Sequence, residues 1–108
     1  DFAARYGGDE FMICLTRTTT DGAIKLAGRL KDAIEQYEFV QDEDRKSLTA
    51  SFGVAVIEGG EASLDARTLT RIADSKLYES KDNGRNLVNY EILNDESTVD
   101  PKFLRKAV

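Results

Sequence analysis

Two adjacent glycines, Gly7 and Gly8, separate two apolar-rich runs close to the start of the chain, Phe2 to Tyr6 and Glu10 to Thr16. A tight reversal needs positive φ, which glycine adopts without a steric penalty. The pattern therefore predicts a β-hairpin with strands over 2–6 and 10–16.

Beyond the hairpin the apolar period changes. Ile24, Ala27, Leu30, Ile34 and Tyr37 recur every three or four residues, which predicts an amphipathic helix over 19–37. Thr18 followed by Asp21 resembles a capping box with the shorter acid. The charged stretch Gln41 to Lys46 reads as an exposed turn. Leu48 to Ile57 alternates Phe52, Val54 and Val56 with the small Ser51, Gly53 and Ala55, as expected of a strand that is central or covered on both faces. Glu58 to Glu61 is a loop, and a second helix begins near Ser63 or Asp65 with Leu69, Ile72, Ala73 and Leu77 on one face. Asn83-Gly84 stops it, and Asn86 to Tyr90 reads as a short edge or closing strand. Asp100-Pro101 either caps a brief terminal helix or opens a linker. The order β-β-α-β-α-β indicates an α/β or α+β sandwich, with helices packed on a sheet that contains antiparallel pairs.

Composition then removes whole classes of chemistry. The 108 residues include no histidine and one cysteine, Cys14, so no imidazole base, histidine-dependent nucleophile, ordinary structural zinc site or intrachain disulfide can be assembled from them. A metal bound here would bind oxygen. The net charge of −5 argues against a nucleic-acid surface, and a phosphate ligand would need a metal or a local basic cluster to draw it in. The longest uncharged stretch, Ser47 to Ile57, has 11 residues, well short of the roughly 20 a membrane helix needs.

The chemistry concentrates in Arg5-Tyr6-Gly7-Gly8-Asp9-Glu10-Phe11. Glycines let a backbone approach a ligand closely, and Mg²⁺ takes one or two carboxylates together with substrate phosphates. Side chains alternate along a strand, so Asp9 and Glu10 should point apart and play unequal roles. Read alone, the run fits a solvated acidic turn better than a ligand site. Lys81 and Arg85 flank the end of the second helix, where two cations either contact phosphate or simply complement the helix dipole.

The run as a whole resembles the signature of the GGDEF family, the diguanylate cyclase domains, whose name is spelled by Gly7 to Phe11. Two further blocks match in order: Ser51-Phe52-Gly53-Val54-Ala55 resembles the family's central-strand motif, and Ala73-Asp74, Leu77-Tyr78, Lys81 and Gly84-Arg85-Asn86 resemble its helix and final turn. The likeness covers residues 1 to about 90. It implies a nucleotide-cyclase, ferredoxin-like fold without its N-terminal part, with 1–92 as the C-terminal portion of the domain and 93–108 as a tail, the start of a linker or a short helix.

The implied reaction joins two GTP molecules into cyclic di-GMP with release of two pyrophosphates, across a homodimer in which each domain holds one GTP. By resemblance Asp9 and Glu10 are the catalytic and metal-binding carboxylates for Mg²⁺ or Mn²⁺, with Asp9 also the leading candidate for the base. Gly7, Gly8, Lys81 and Arg85 would bind substrate. Many relatives carry Arg-x-x-Asp before the signature; its Asp falls on Asp1, and Arg29 matches a further product-contacting position, so Asp1 and Arg29 are the candidate inhibitory site for cyclic di-GMP. The family's first strand, with another metal-binding aspartate, its phosphate loop and its guanine-reading Asn and Asp have no counterpart here, so the 108-residue chain is expected to be inactive alone. The same resemblance implies a cytoplasmic domain, an upstream sensor domain with membrane anchoring as one option, and no nucleic-acid partner. The alternative is a catalytically silent GGDEF domain that binds GTP or cyclic di-GMP as a regulatory module. Asp74 is read as a cap or salt-bridge residue, Tyr37 and Tyr78 as packing residues, and Cys14 as an inert core thiol.

Overall fold

The computed structural model describes residues 1–58 and 65–93. It is a mixed α/β chain ordered β1 (Phe2–Arg5), β2 (Phe11–Cys14), α1 (Thr20–Gln36), β3 (Glu38–Gln41), β4 (Asp44–Ser47), β5 (Phe52–Ile57), α2 (Ala66–Asp82) and β6 (Val88–Leu93). The expected loop over 59–61 and the terminal segment around Asp100-Pro101 lie outside the described residues.

β1 and β2 form the antiparallel hairpin that the glycine pair predicts, with Phe2 opposite Cys14 and Arg5 opposite Phe11. Its polar link to the rest of the described chain is one ion pair, Glu10 to Lys81. α1 begins one residue later than the capping-box pattern suggests. Thr19, not Thr18, is the N-cap, its hydroxyl accepting from the Gly22 N–H at 2.9 Å. Asp21 instead bonds Lys25 one turn on, at 2.9 Å.

The charged stretch 41–46 is not simply a turn. β3 and β4 pair antiparallel around Asp42 and Glu43, which hold φ at 50° and 70°. Two successive left-handed residues are the geometry of a type I′ hairpin, here built without glycine.

β5 and β6 lie parallel, with Phe52 opposite Val88 and Ile57 opposite Leu93. Parallel neighbours need a crossover, and α2 provides it, packing on both strands, as α1 does too. Ile72 and Val56 are buried at this junction with Ala23, Ala27 and Leu93. Gly53 permits the approach of α2: a Cβ there would overlap the Ala73 carbonyl oxygen and the Leu77 backbone nitrogen. Ser80, fully buried on α2, donates to the Phe52 carbonyl oxygen at 2.8 Å and accepts from Asn89 Nδ2 at 2.9 Å, tying the helix to both strands. This interlock fixes the end of α2, where the predicted cations stand. β5 therefore has one paired neighbour in the described sheet, not the two of a central strand.

Three side chains sit differently from their sequence reading. Cys14 is half-buried rather than core, because its strand packs against little beyond its hairpin partner. Tyr78 is 70% exposed, on the side of α2 turned away from β5. Asp74 is exposed and forms no ion pair among the described residues. Tyr37, itself 60% exposed, meets Phe39 edge-on with ring centroids 4.6 Å apart.

Candidate functional site

The turn between β1 and β2 is closed by its own backbone. The N–H groups of Tyr6 and Gly7 both donate to the Glu10 carbonyl oxygen, at 2.8 and 3.2 Å. Arg5, at the end of β1, then folds its guanidinium over the loop: Nε donates to the Gly7 carbonyl at 3.2 Å and Nη2 to the Gly8 carbonyl at 2.7 Å. A planar fork suits two acceptors at once, which a lysine could not match. Sequence reasoning passed over this residue. The signal was an arginine at the base of a glycine turn whose carbonyls lacked strand partners.

Asp9 and Glu10 do diverge. Asp9 is exposed, and its carboxylate makes no hydrogen bond or ion pair among the described residues. Glu10 is half-buried and points to α2, where Oε1 meets Lys81 Nζ at 3.4 Å. The structure thus joins two predicted site residues separated by 71 positions.

Lys81 lies in the last turn of α2. Gly84 follows the Asn83 cap at φ +117°, and the Arg85 N–H donates back to the Ser80 carbonyl at 2.9 Å, which is the Schellman closure expected of a helix-ending glycine. Arg85 and Asn86 continue in the left-handed region at φ 64° and 53°. For non-glycine residues such a conformation costs on the order of 1 kcal/mol or more, so it persists only when held from outside. Asn86 is held: its N–H donates to Ser51 Oγ at 3.0 Å and its Nδ2 to Glu35 Oε2 at 2.8 Å. Anchored on both sides, Arg85 projects its guanidinium into solvent four residues beyond Lys81, with no ion pair among the described residues.

The oxygen donors of the turn fit a hard divalent cation. The described residues contain no cluster of three or more potential metal ligands, so the turn offers two carboxylates, one of them unpaired. That is the donor share Mg²⁺ takes from protein when substrate phosphates and water complete its shell.

The remaining predicted residues stand apart. The Asp1 carboxylate accepts from the Thr16 N–H at 2.8 Å and the Thr16 hydroxyl at 3.2 Å, at the open end of the hairpin rather than at its turn. Arg29 is exposed on α1, and no hydrogen bond or ion pair joins it to Asp1 among the described residues. An open groove lined by Thr18, Thr19, Thr20, Asp21, Ile57 and Glu58 includes none of the predicted site residues. Among the described residues no helix is long and apolar enough to cross a membrane.

Comparison with known proteins bears on the same residues. The family described as "Diguanylate cyclase, GGDEF domain" matches residues 1–87. Diguanylate cyclase A of Treponema denticola is 39% identical over 88 residues, covering 82% of this chain and 23% of its own length. The probable diguanylate cyclase DgcT of Escherichia coli strain K12 is 37% identical over 90 residues, covering 82% of this chain and 20% of that protein. Diguanylate cyclase DgcP of Pseudomonas aeruginosa is 36% identical over 85 residues, 79% of this chain and 12% of its own. The chain spans less than a quarter of the length of each of these relatives.

Proposed function

The chain belongs to the diguanylate cyclase GGDEF domain family, and from that membership we propose that the whole protein condenses two GTP molecules into cyclic di-GMP. The observation that carries the proposal is the ion pair of Glu10, in the Gly7–Phe11 turn, with Lys81 at the cationic end of α2, which leaves the adjacent Asp9 carboxylate exposed.

In this reading each subunit of a homodimer holds one GTP. The exposed Asp9 carboxylate takes the proton from a 3′-hydroxyl; the freed oxygen forms a bond to the α-phosphorus of the facing GTP, and the bond from that phosphorus to the β-phosphate bridging oxygen breaks. Pyrophosphate leaves, and the same exchange with the roles of the two GTP molecules reversed releases the second pyrophosphate and closes the ring. Little covalent work falls to the protein in phosphoryl transfer; its share is positioning and charge stabilisation. Gly7 and Gly8 let the backbone lie close to the nucleotide, while Arg5 keeps their carbonyls occupied. Lys81 and Arg85 answer the negative charge that collects on the departing pyrophosphate. Asp9 and Glu10 would hold Mg²⁺ or Mn²⁺, which supplies neutralisation of the phosphate oxygens when bound. Asp1 and Arg29 are assigned to contact with the cyclic di-GMP product at an inhibitory site.

The test is Asp9→Asn in the whole protein, assayed for cyclic di-GMP formation from GTP and Mg²⁺. Removing a positioned base lowers turnover by about 10²–10⁴-fold. Turnover within a few-fold of the parent would overturn the assignment of Asp9.

A further inference from the structure

Glu10 and Lys81 are assigned to opposite halves of a metal–polyphosphate complex, yet in this structure they hold each other. Their closest atoms are 3.4 Å apart, and the side chains are 34% and 33% exposed. Neither side chain has another ion pair among the described residues, and this contact is the hairpin's polar tie to the rest of the described chain.

We propose that this ion pair makes the site select a metal-complexed polyphosphate over either bare component, an inference that rests on the functional reading above. For a divalent cation arriving alone, the Glu10 charge is already answered by the Lys81 ammonium, and releasing it strands that ammonium. For a bare polyphosphate, Lys81 is already engaged, and releasing it strands the Glu10 carboxylate beside the free carboxylate of Asp9, against an incoming ligand of the same sign. A complex presents both charges together. Glu10 turns to the cation, Lys81 turns to phosphate oxygen, and one internal pair is exchanged for two ligand contacts with no charge left over. The coupling is reciprocal: the factor by which bound cation raises polyphosphate affinity equals the factor by which bound polyphosphate raises cation affinity. The strength of partly exposed ion pairs corresponds to a factor of about two to five in each.

The test uses two probes, Mn²⁺ alone and inorganic pyrophosphate alone, on the protein and three variants. Mn²⁺ binding is read from paramagnetic broadening of the amide resonances of residues 8–11, and pyrophosphate binding by calorimetry. Lys81→Met should bind Mn²⁺ about two- to fivefold more tightly than the parent. A merely structural role for Lys81 would weaken that binding, since it would loosen the turn. Glu10→Gln should bind pyrophosphate about two- to fivefold more tightly, because Lys81 is released. Lys76→Met removes the same charge from α2 without touching Glu10 and should leave Mn²⁺ binding unchanged. Unchanged or weaker Mn²⁺ binding by Lys81→Met, unchanged pyrophosphate binding by Glu10→Gln, or an equal gain from Lys76→Met would each overturn the selection. Parent protein whose residues 8–11 are not broadened by Mn²⁺ would overturn the metal reading of the turn itself, a separate failure that removes the selection with it.

Discussion

Gly53→Ala should be among the most damaging single substitutions in this chain, although it adds only one methyl group. The added Cβ would overlap the Ala73 carbonyl oxygen and the Leu77 backbone nitrogen, and would lie 2.8 Å from Leu77 Cα. Carbon atoms in contact prefer about 3.5–4.0 Å, so α2 must retreat by at least about 0.7 Å along its closest line of approach to β5. A buried methyl contributes about 0.8 kcal/mol in favour, which cannot offset the displacement of a helix. Overpacking typically costs about 1–3 kcal/mol, and the upper end applies because the obstructing atoms are main chain and cannot rotate aside. With about 3 kcal/mol lost, and about 4–8 °C per kcal/mol for a domain near this size, the thermal midpoint should fall by about 12–24 °C.

The backbone origin of the clash gives the reasoning a sharper edge than the size of the loss. Trimming the nearby side chain with Leu77→Ala leaves the Leu77 nitrogen and the Ala73 carbonyl where they are, so the double variant should show no rescue, as read by thermal and urea unfolding in a double-mutant cycle. A midpoint drop below about 4 °C for Gly53→Ala, or recovery on adding Leu77→Ala, would refute the account. The retreat also reaches the site. Lys81 stands one turn beyond Leu77 on the same face of α2, so a displacement that relieves Gly53→Ala should alter its 3.4 Å contact with Glu10.

The N-terminus of α1 offers a comparison between neighbours: Thr19→Ala should cost about 1 kcal/mol in urea unfolding at unchanged slope, and Thr18→Ala clearly less, with the reverse order contradicting the observed cap. Lys25 is held above its ordinary value of 10.5, first by its hydrogen bond to Asp21 and then by the charge of that carboxylate. A raised lysine pKa means that the contribution linked to the Lys25 proton is fully present below the unfolded-state value and is lost as pH rises through the higher folded-state value, so this titration acts on the alkaline limb. An NMR titration of the Lys25 side chain should return to the ordinary range in Asp21→Asn, and an unshifted titration between the two proteins would contradict the pairing.

What the sequence revealed and what it hid follow from where the physics is local. The Gly7-Gly8 turn, the two helices and the stop at Gly84 were legible because each rests on a residue whose own backbone freedom or spacing dictates the outcome. The β3–β4 hairpin was not, because Asp42 and Glu43 take left-handed angles without glycine and both strands are exposed throughout, leaving no alternation to read. Its support is instead cross-strand, as in the Arg45–Glu38 pair at 3.5 Å. The site divides in the same way. The family signature singled out Asp9, Glu10, Lys81 and Arg85, but no pattern in one dimension could show that Glu10 and Lys81 bond each other. That contact depends on α2 ending where it does, which depends on Gly53 admitting the helix and Ser80 locking it to Phe52 and Asn89. A glycine in a strand and a serine in a helix, neither of them chemically involved, therefore set the distance between the turn's carboxylate and the helix's cation. For that reason the stability of the β5–α2 contact and the ligand preference of the turn should change together when Gly53 is replaced.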